Sequence, residues 1–405
     1  MHMATIQKAF KFRIYPNEAQ KVFLSNQFGA ARFAYNYFLN KRKEEYLKNK
    51  KSTNYYDDAK ALTELKTKTE YSWLYDINSQ TLQASLRNLE ASYLNFFRGQ
   101  TKFPRFHAKK NKQSIKIPQH FLIENNLLYI PKLKTGIEIV LHRYLPGKQI
   151  YCIISKSPAD TYHVSILCEV EQIELSKIER SVGIDLGLKS LLVESNGNVV
   201  ENPRFSKNHE KKRIFVQRQL SKKAKGSNNR NKQRRVLAKV FEKEANQRKD
   251  YLHKVSNRLV NENQVIVAES LAVKKMMSNH NLAKSIGDVA WGELLRQLEY
   301  KAAWRGRTFH KIDRFFPSSK TCNHCKFVIN ELPLNLRTWV CPSCSSALDR
   351  DLNAAQNILE KGLCDLNFDS LSHAGLRNEV LSQKLVEALP LGESMKQEIL
   401  AEKQE

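Results

Sequence analysis

The chain has 405 residues, of which 67 are Lys or Arg and 41 are Asp or Glu, a formal net charge of +26. That length accommodates two or three domains with cores of their own, and 41% hydrophobic residues is ordinary for a folded protein. No apolar run approaches the roughly 20 residues of a membrane span, and Met1–Pro16 alternates charged and apolar residues where a secretory leader would be continuously apolar. A cytoplasmic protein that does not enter membranes is expected.

The positive excess calls for a polyanionic partner, foremost nucleic acid. It is concentrated in Ser206–Lys254, with 17 Lys or Arg and four acids, a net +13, whereas Gly362–Glu405 holds four and eight, a net −4. So large an imbalance cannot be neutralised by pairs one helical turn apart. Contact with backbone phosphates is expected instead, with Lys222, Lys223, Lys225, Arg230, Arg234 and Arg235 as candidate contacts. The acidic stretch 363–405 has few aromatics and reads as a disordered tail.

In chain order, Phe10, Phe12 and Ile14 alternate with Lys11 and Arg13, the period of a half-buried strand. Pro16 and Asn17 end it and open a helix. Helical pattern continues to about Phe97, with a polar break near Asn54. From Ser114 to Val170, short apolar runs separated by Pro or Gly give all-β texture, a small barrel or sandwich. The first strand is too short to stand alone and is expected to join this sheet, which makes the helical block an insertion.

A second domain is expected from about Ser181. Val182–Leu186 is a buried strand carrying one acid, Ser190–Glu194 a second strand, and Asn196-Gly197-Asn198 a hairpin turn leading to Val199-Val200. Long basic helices run to about Asn261. The strand Val265–Glu269 ends in another acid, a helix spans about Trp291–Trp304, and the strand Thr308–Ile312 follows. Next come two C-x-x-C pairs and a helix opening near Asp351.

Those cysteine pairs, Cys322/Cys325 and Cys341/Cys344, are separated by 15 residues. In a cytosolic chain this spacing reads as a closed, structural tetrathiolate zinc ribbon. With Lys320, Lys326, Arg337 and Trp339 around it, the ribbon either grips nucleic acid as well as folding or is a structural staple alone. Cys152, Cys168 and Cys364 are unclustered, and Cys168, in an apolar run, reads as a buried small hydrophobe.

Asp185, Glu269 and Asp351 are separated by 84 and 82 residues. The first two lie in or at the end of apolar strands, where an unpaired carboxylate is costly; the third sits at a helix start, where the dipole tolerates it. Each alone could be a turn residue or a helix cap. Together, on strands and a helix in an order that fits an RNase H-like sheet, they suit a pair of Mg²⁺ ions for phosphodiester hydrolysis. Asp349 is the better cap and Asp351 the better ligand, with Asn353 two residues on facing the same nucleic acid.

The motifs G-I-D-L-G (183–187), V-A-E-S (267–270), F-P-S-S-K-T-C (316–322), C-P-S-C (341–344) and L-D-R-D-L-N-A-A-Q-N-I (348–358) resemble the TnpB family of transposon-encoded relatives of type V CRISPR effectors. The likeness extends to F-R-I-Y-P-N-E-A-Q (12–20), A-R-F-A-Y-N (31–36) and F-P-R-F (103–106). It also supports choosing Asp351 over Asp349. The resemblance implies an α+β multidomain protein. Its parts would be a β-barrel wedge domain (1–16 and 99–180), an inserted helical recognition domain (17–98), a RuvC-like nuclease domain (181–313 and 346–362) and a zinc ribbon (314–345).

The same resemblance implies a monomeric, Mg²⁺-dependent, RNA-guided DNA endonuclease. A noncoding RNA from the transposon end would guide it, and double-stranded DNA beside a short flanking motif would be cut. Asp185, Glu269 and Asp351 match the family's catalytic acids. The alternatives are a nuclease-inactive RNA-guided repressor and a DDE-type transposase. Family members often carry Gly where Lys326 and Ser345 follow the cysteine pairs here, and an acid or amide where Ser270 follows Glu269.

Overall fold

The computed structural model describes residues 4–50, 52–110, 113–333 and 335–366, so the acidic tail beyond 366 lies outside the described residues. The chain divides into two compact units, Met1–Ile173 with Lys207–Asn246, and Glu174–Ser206 with Gln247–Glu405.

The first unit begins with β1 (Thr5–Tyr15), whose alternation ends on the buried Phe12 and Ile14. Pro16 lacks the donor that a strand would need next. Asn17 then caps α1 (Glu18–Asn49): its side chain accepts from Gln20 N, and Asn17 N donates back to Gln20 Oε1, both at 2.9 Å. This reciprocal pair satisfies two of the helix's orphan donors. A second capping box, at Asn54, opens α2 (Tyr55–Thr67), and a 3-10 turn (Thr69–Asp76) leads to α3 (Ser79–Phe97).

The strands β2 (Gln113–Ile117), β3 (Leu122–Glu124), β4 (Leu127–Tyr129), β5 (Ile137–Val140), β6 (Lys148–Lys156) and β7 (Tyr162–Glu171) follow. They form one antiparallel sheet with β1, in the order β2-β6-β7-β1-β5-β4-β3. The first strand is therefore in the middle of the sheet, between β7 and β5, although the helical block separates it from both in sequence. Pairing among the described residues runs from β2 to β3 without closing into a ring. The apolar face of the sheet is covered by α1, through Leu24, Phe28 and Ala31. Another face of α1, Ala34, Tyr35, Phe38 and Leu39, packs into the core of the helical block with Leu82, Leu86 and Leu89. One helix thus serves two cores.

The second unit starts with β8 (Ser181–Leu186), β9 (Ser190–Glu194) and β10 (Val199–Glu201), joined at Gly197, whose φ of 87° is natural only for glycine. A single turn, α4 (Phe205–Asn208), precedes α5 (Glu210–Ser221) and α6 (Asn228–Glu262). The sequence assigns 181–313 and 346–362 to one domain, whereas Lys207–Asn246 groups with the first unit. Polar ties account for the difference: Thr161 Oγ1 donates to Glu242 at 2.6 Å, and Arg235 lies 3.8 Å from Asp160.

After α6 come β11 (Val265–Glu269), α7 (Val273–Met276), α8 (His280–Val289), α9 (Trp291–Arg305) and β12 (Thr308–Ile312). The short pair β13 (Thr338–Val340) and β14 (Ala347–Asp349) leads into α10 (Arg350–Asp365). The five-stranded sheet has the order β10-β9-β8-β11-β12, with β8, β11 and β12 parallel and β9 and β10 antiparallel. Alternation along β11 splits its side chains between two layers. Ile266 and Ala268 pack with Leu252, Leu259, Leu294 and Leu298. Val265 and Val267 pack with Ile358 and Leu363 of α10.

Helix α10 lies very close to the sheet. A Cβ on Gly183 would stand 2.2 Å from the Ala355 carbonyl oxygen, and one on Gly362 would stand 2.3 Å from a Val267 methyl carbon. Neither glycine is needed for its φ, since neither is left-handed; each is needed for space. Gly183→Ala should therefore cost about 1–3 kcal/mol by overpacking. This would appear as a lower urea midpoint, and an unchanged midpoint would contradict the close approach.

Candidate active site

The parallel register pairs Ile184 with Ala268, so the next residues, Asp185 and Glu269, stand side by side at the carboxyl ends of β8 and β11. Side-chain period two puts Asp185 on the same face as Gly183, and Glu269 on the same face as Val267. Gly183 and Val267 are the two positions that α10 covers. Both acids therefore face α10, whose first turn carries Asp351.

Asp349 caps this helix, accepting from Asp351 N at 3.0 Å and Leu352 N at 2.8 Å. The Asp351 carboxylate is left to point elsewhere, and Arg337 Nη1 lies 3.2 Å from both its oxygens. Glu269 accepts from the hydroxyl of Ser318, a buried residue of the Phe316–Cys322 motif. Asp185 keeps some accessible surface but is surrounded mostly by protein. Burial, then the charges of Glu269 and Asp351, push its carboxyl up to about 7, against a smaller opposing pull from Arg350. Asp185 thus feels both other acids, but the three are a looser set than the cysteines. Among the described residues only Cys322, Cys325, Cys341 and Cys344 bring their ligand atoms within 4.8 Å of one another.

The cysteine group comes from two knuckles. Lys326 N donates to Cys322 O and Ser345 N to Cys341 O, and both residues turn with positive φ, 64° and 57°. These are the two positions where family members often carry glycine, and the left-handed backbone gives the physical reason. The Sγ atoms of Cys322 and Cys344 are 3.7 Å apart, those of Cys325 and Cys341 3.5 Å. A disulfide would need about 2.05 Å; a tetrahedron with bonds of about 2.3 Å to a central ion has edges near 3.8 Å. The donor set and its spacing fit a four-coordinate zinc ion.

The structure buries one candidate nucleic-acid contact. Asn353 is 1% exposed: its Nδ2 donates to Thr321 O at 2.8 Å, and its Oδ1 accepts from Asn323 N at 2.9 Å. Two residues along a helix turn it about 200°, so Asn353 faces away from Asp351 and fastens α10 to the first knuckle. Asn357 adds a second clasp, donating to Thr321 O and Ser318 O. The basic and aromatic residues of the ribbon have partners of their own. Lys320 donates to Asn330 O, Lys326 to Asn323 O and Glu360, Arg337 to Asp351, and Trp339 is buried in the ribbon's core. Arg230 donates to the carbonyls of Leu220 and Lys223, closing the α5–α6 turn.

Lys222, Lys223, Lys225, Arg234 and Arg235 are exposed. Arg234 and Arg235 line a cleft of about 1020 Å³ within the first unit, with Arg32, Lys109, Lys110, Lys156 and Lys232. Asp76 and Asp160 are its acids, and Asp160 is already engaged by Lys156 at 2.7 Å and Arg235 at 3.8 Å. Trp73, 40% exposed, adds an indole beside Phe33. Cations with an open ring suit a single strand, its phosphates on the charges and its bases stacked on the aromatic. Five of these seven cations were not singled out from the sequence, because they converge from four separated segments.

Comparison with known proteins bears on the whole chain. Family models match three segments: one described as "Probable transposase" over 165–280, a "Cas12f1-like, TNB domain" over 291–358 and a "Helix-turn-helix domain" over 1–51. A Streptomyces pristinaespiralis protein named "Putative RNA-guided DNA endonuclease" is 40% identical over 365 residues, covering 89% of this chain and 90% of that one. The chain belongs to the TnpB family.

Another TnpB-family relative, the Escherichia coli K12 protein named "Putative RNA-guided DNA endonuclease InsQ", is 32% identical over 390 residues, 91% of this chain and 95% of that one. In fold, the chain resembles a protein solved in the "Cryo-EM structure of the Cas12f1-sgRNA-target DNA complex". The TM-score is 0.52 at 14% identity, over 87% of this chain and 98% of that one. The α+β class and the four-cysteine ribbon agree with the sequence reading. The helix-turn-helix description does not match the local structure, since residues 4–50 hold one strand and one 32-residue helix.

The raised Asp185 pKa has a consequence for stability. Its folded value, about 7, lies above the roughly 3.9 of an unfolded aspartate. Ionisation therefore opposes folding, with no penalty below pH 4, a growing one from there to pH 7 and the full penalty above. In buffer without divalent ions, Asp185→Asn should be more stable than the parent at pH 8, by up to about 4 kcal/mol. At pH 4 the two should unfold alike, and equal denaturation curves at pH 8 would contradict the buried-acid account.

Proposed function

We propose that the protein is an RNA-guided DNA endonuclease whose single active site is the Asp185, Glu269 and Asp351 set. The observation that carries this reading is their convergence on one face of the sheet, at its carboxyl ends, with Asp185 held near neutrality at about 7. Clustered hard-oxygen donors that repel one another fit Mg²⁺, and two such ions, when bound, would activate a water and stabilise the leaving oxygen. Asp185 would release its proton as an ion is taken up. Ser318 fixes the Glu269 carboxylate, and Asp349 frees Asp351 by capping α10 in its place.

The strand order, three parallel strands beside an antiparallel hairpin, fits an RNase H-like (RuvC-type) nuclease. The printed names of the relatives support guidance by RNA and action on DNA. The basic cleft, with Trp73 at its wall, supports binding of a guide strand. The four cysteines would hold one structural zinc. No helix among the described residues is long and apolar enough to cross a membrane, which is compatible with a cytoplasmic enzyme on DNA.

Two measurements test this. Protein purified with its bound RNA should cut a duplex matching that RNA, while Asp185→Ala keeps the RNA and the duplex but loses cleavage by at least a hundredfold. Cutting that survives removal of the RNA would instead favour a transposase or an unguided nuclease. Elemental analysis should find one zinc per chain, lost in a Cys325→Ser/Cys344→Ser double variant; zinc-free protein with an intact ribbon would contradict the tetrathiolate site.

A further inference from the structure

One cation that faces the acids is Arg337, and nothing in the proposed cleavage uses it. Its guanidinium lies 3.2 Å from both oxygens of Asp351, so the carboxylate directs both lone-pair edges at one partner. We propose that Arg337 and a divalent cation are alternative partners of Asp351, and that a backbone phosphate of bound nucleic acid admits the ion by drawing Arg337 away. This rests on reading Asp351 as a metal ligand.

Placement of Arg337 is built into the ribbon. In the β13–β14 pair Thr338 stands opposite Asp349, so Arg337 is carried to the mouth of α10. Its carbonyl accepts from Arg350 N at 2.7 Å, and the Arg350 side chain donates to Pro333 O at 2.7 Å and Leu336 O at 3.5 Å. Arg350 thus anchors the segment that presents Arg337. The Arg337 side chain is 48% exposed and Asp351 28%, so the pair can be opened from the solvent side without breaking the core.

Three physical points favour exchange. An ammonium or guanidinium this close to a carboxylate competes with an incoming cation both by occupying its lone pairs and by repulsion at short range. An exposed pair of this kind is weak, so a modest competitor can open it. A phosphate is such a competitor, because the planar fork of arginine matches its oxygens. The ion site would then fill most readily where a nucleic-acid backbone lies beside the ribbon.

The test is a Mn²⁺ titration of the full chain freed of nucleic acid, read from the EPR signal of free Mn²⁺, with zinc content checked to confirm an intact ribbon. Asp351→Ala should lose an ion, which identifies the relevant site. Arg337→Ala should bind that ion about two- to fivefold tighter than the parent, with Arg337→Lys between them. A non-cleavable target duplex with its guide should tighten Mn²⁺ binding in the parent and do so less in Arg337→Ala, by the same factor. Unchanged or weaker binding in Arg337→Ala would overturn the exchange while leaving the metal site standing. Parent-like titration of Asp351→Ala would overturn both.

Discussion

The arrangement of the second unit depends on one contact, the packing of α10 directly on the backbone of β8 and β11. Gly183 and Gly362 allow it, since a methyl group at either would overlap an atom across the interface. The distance matters chemically because Asp185 is two residues beyond Gly183, and Glu269 two beyond Val267, the side chain against Gly362. With the helix seated there, its first turn brings Asp351 to the same face. A helix held one side-chain layer further out would leave Asp351 too far away to complete a set with the strand acids.

That convergence is costly. Three carboxylates are brought together where burial already disfavours charge on Asp185, and nothing in the packing relieves the repulsion completely. The chain manages it with local partners: Ser318 on Glu269 and Arg337 on Asp351. Both partners come from the ribbon region, which Asn353 and Asn357 clasp to the same helix. The ribbon is thus best understood as a mount. Its cysteines staple a short stretch with only a small core, and that stretch supplies the groups that hold the acids in place.

Much of this was readable in the sequence. Alternation identified β1, apolar runs carrying an acid identified β8 and β11, and Pro16-Asn17 marked where α1 begins. The C-x-x-C pairs announced the four-sulfur cluster, and Asp185 and Glu269, read at the ends of apolar strands, do stand on neighbouring strand ends. What failed to show were features that depend on distant partners. Ser206–Lys254 reads as one charged segment, yet Glu242 and Arg235 tie part of it to the β6–β7 turn. Asn353 looked like a neighbour of Asp351 because two residues are adjacent in sequence, though a helix turns them to opposite sides. The cleft around Arg32 and Lys109 escaped notice because no single stretch contains it. The barrel texture of 114–170 was visible, but whether its edges meet is settled by strand pairing, which apolar spacing does not encode.

The most direct test of the central claim is the position of bound ions. Crystals of the full chain grown with Mn²⁺, with data collected at the manganese absorption edge, should show two anomalous peaks about 3.5–4 Å apart, both ligated by oxygens of Asp185, Glu269 and Asp351. A fully occupied crystal with manganese elsewhere, or with none touching Asp185, would contradict the account.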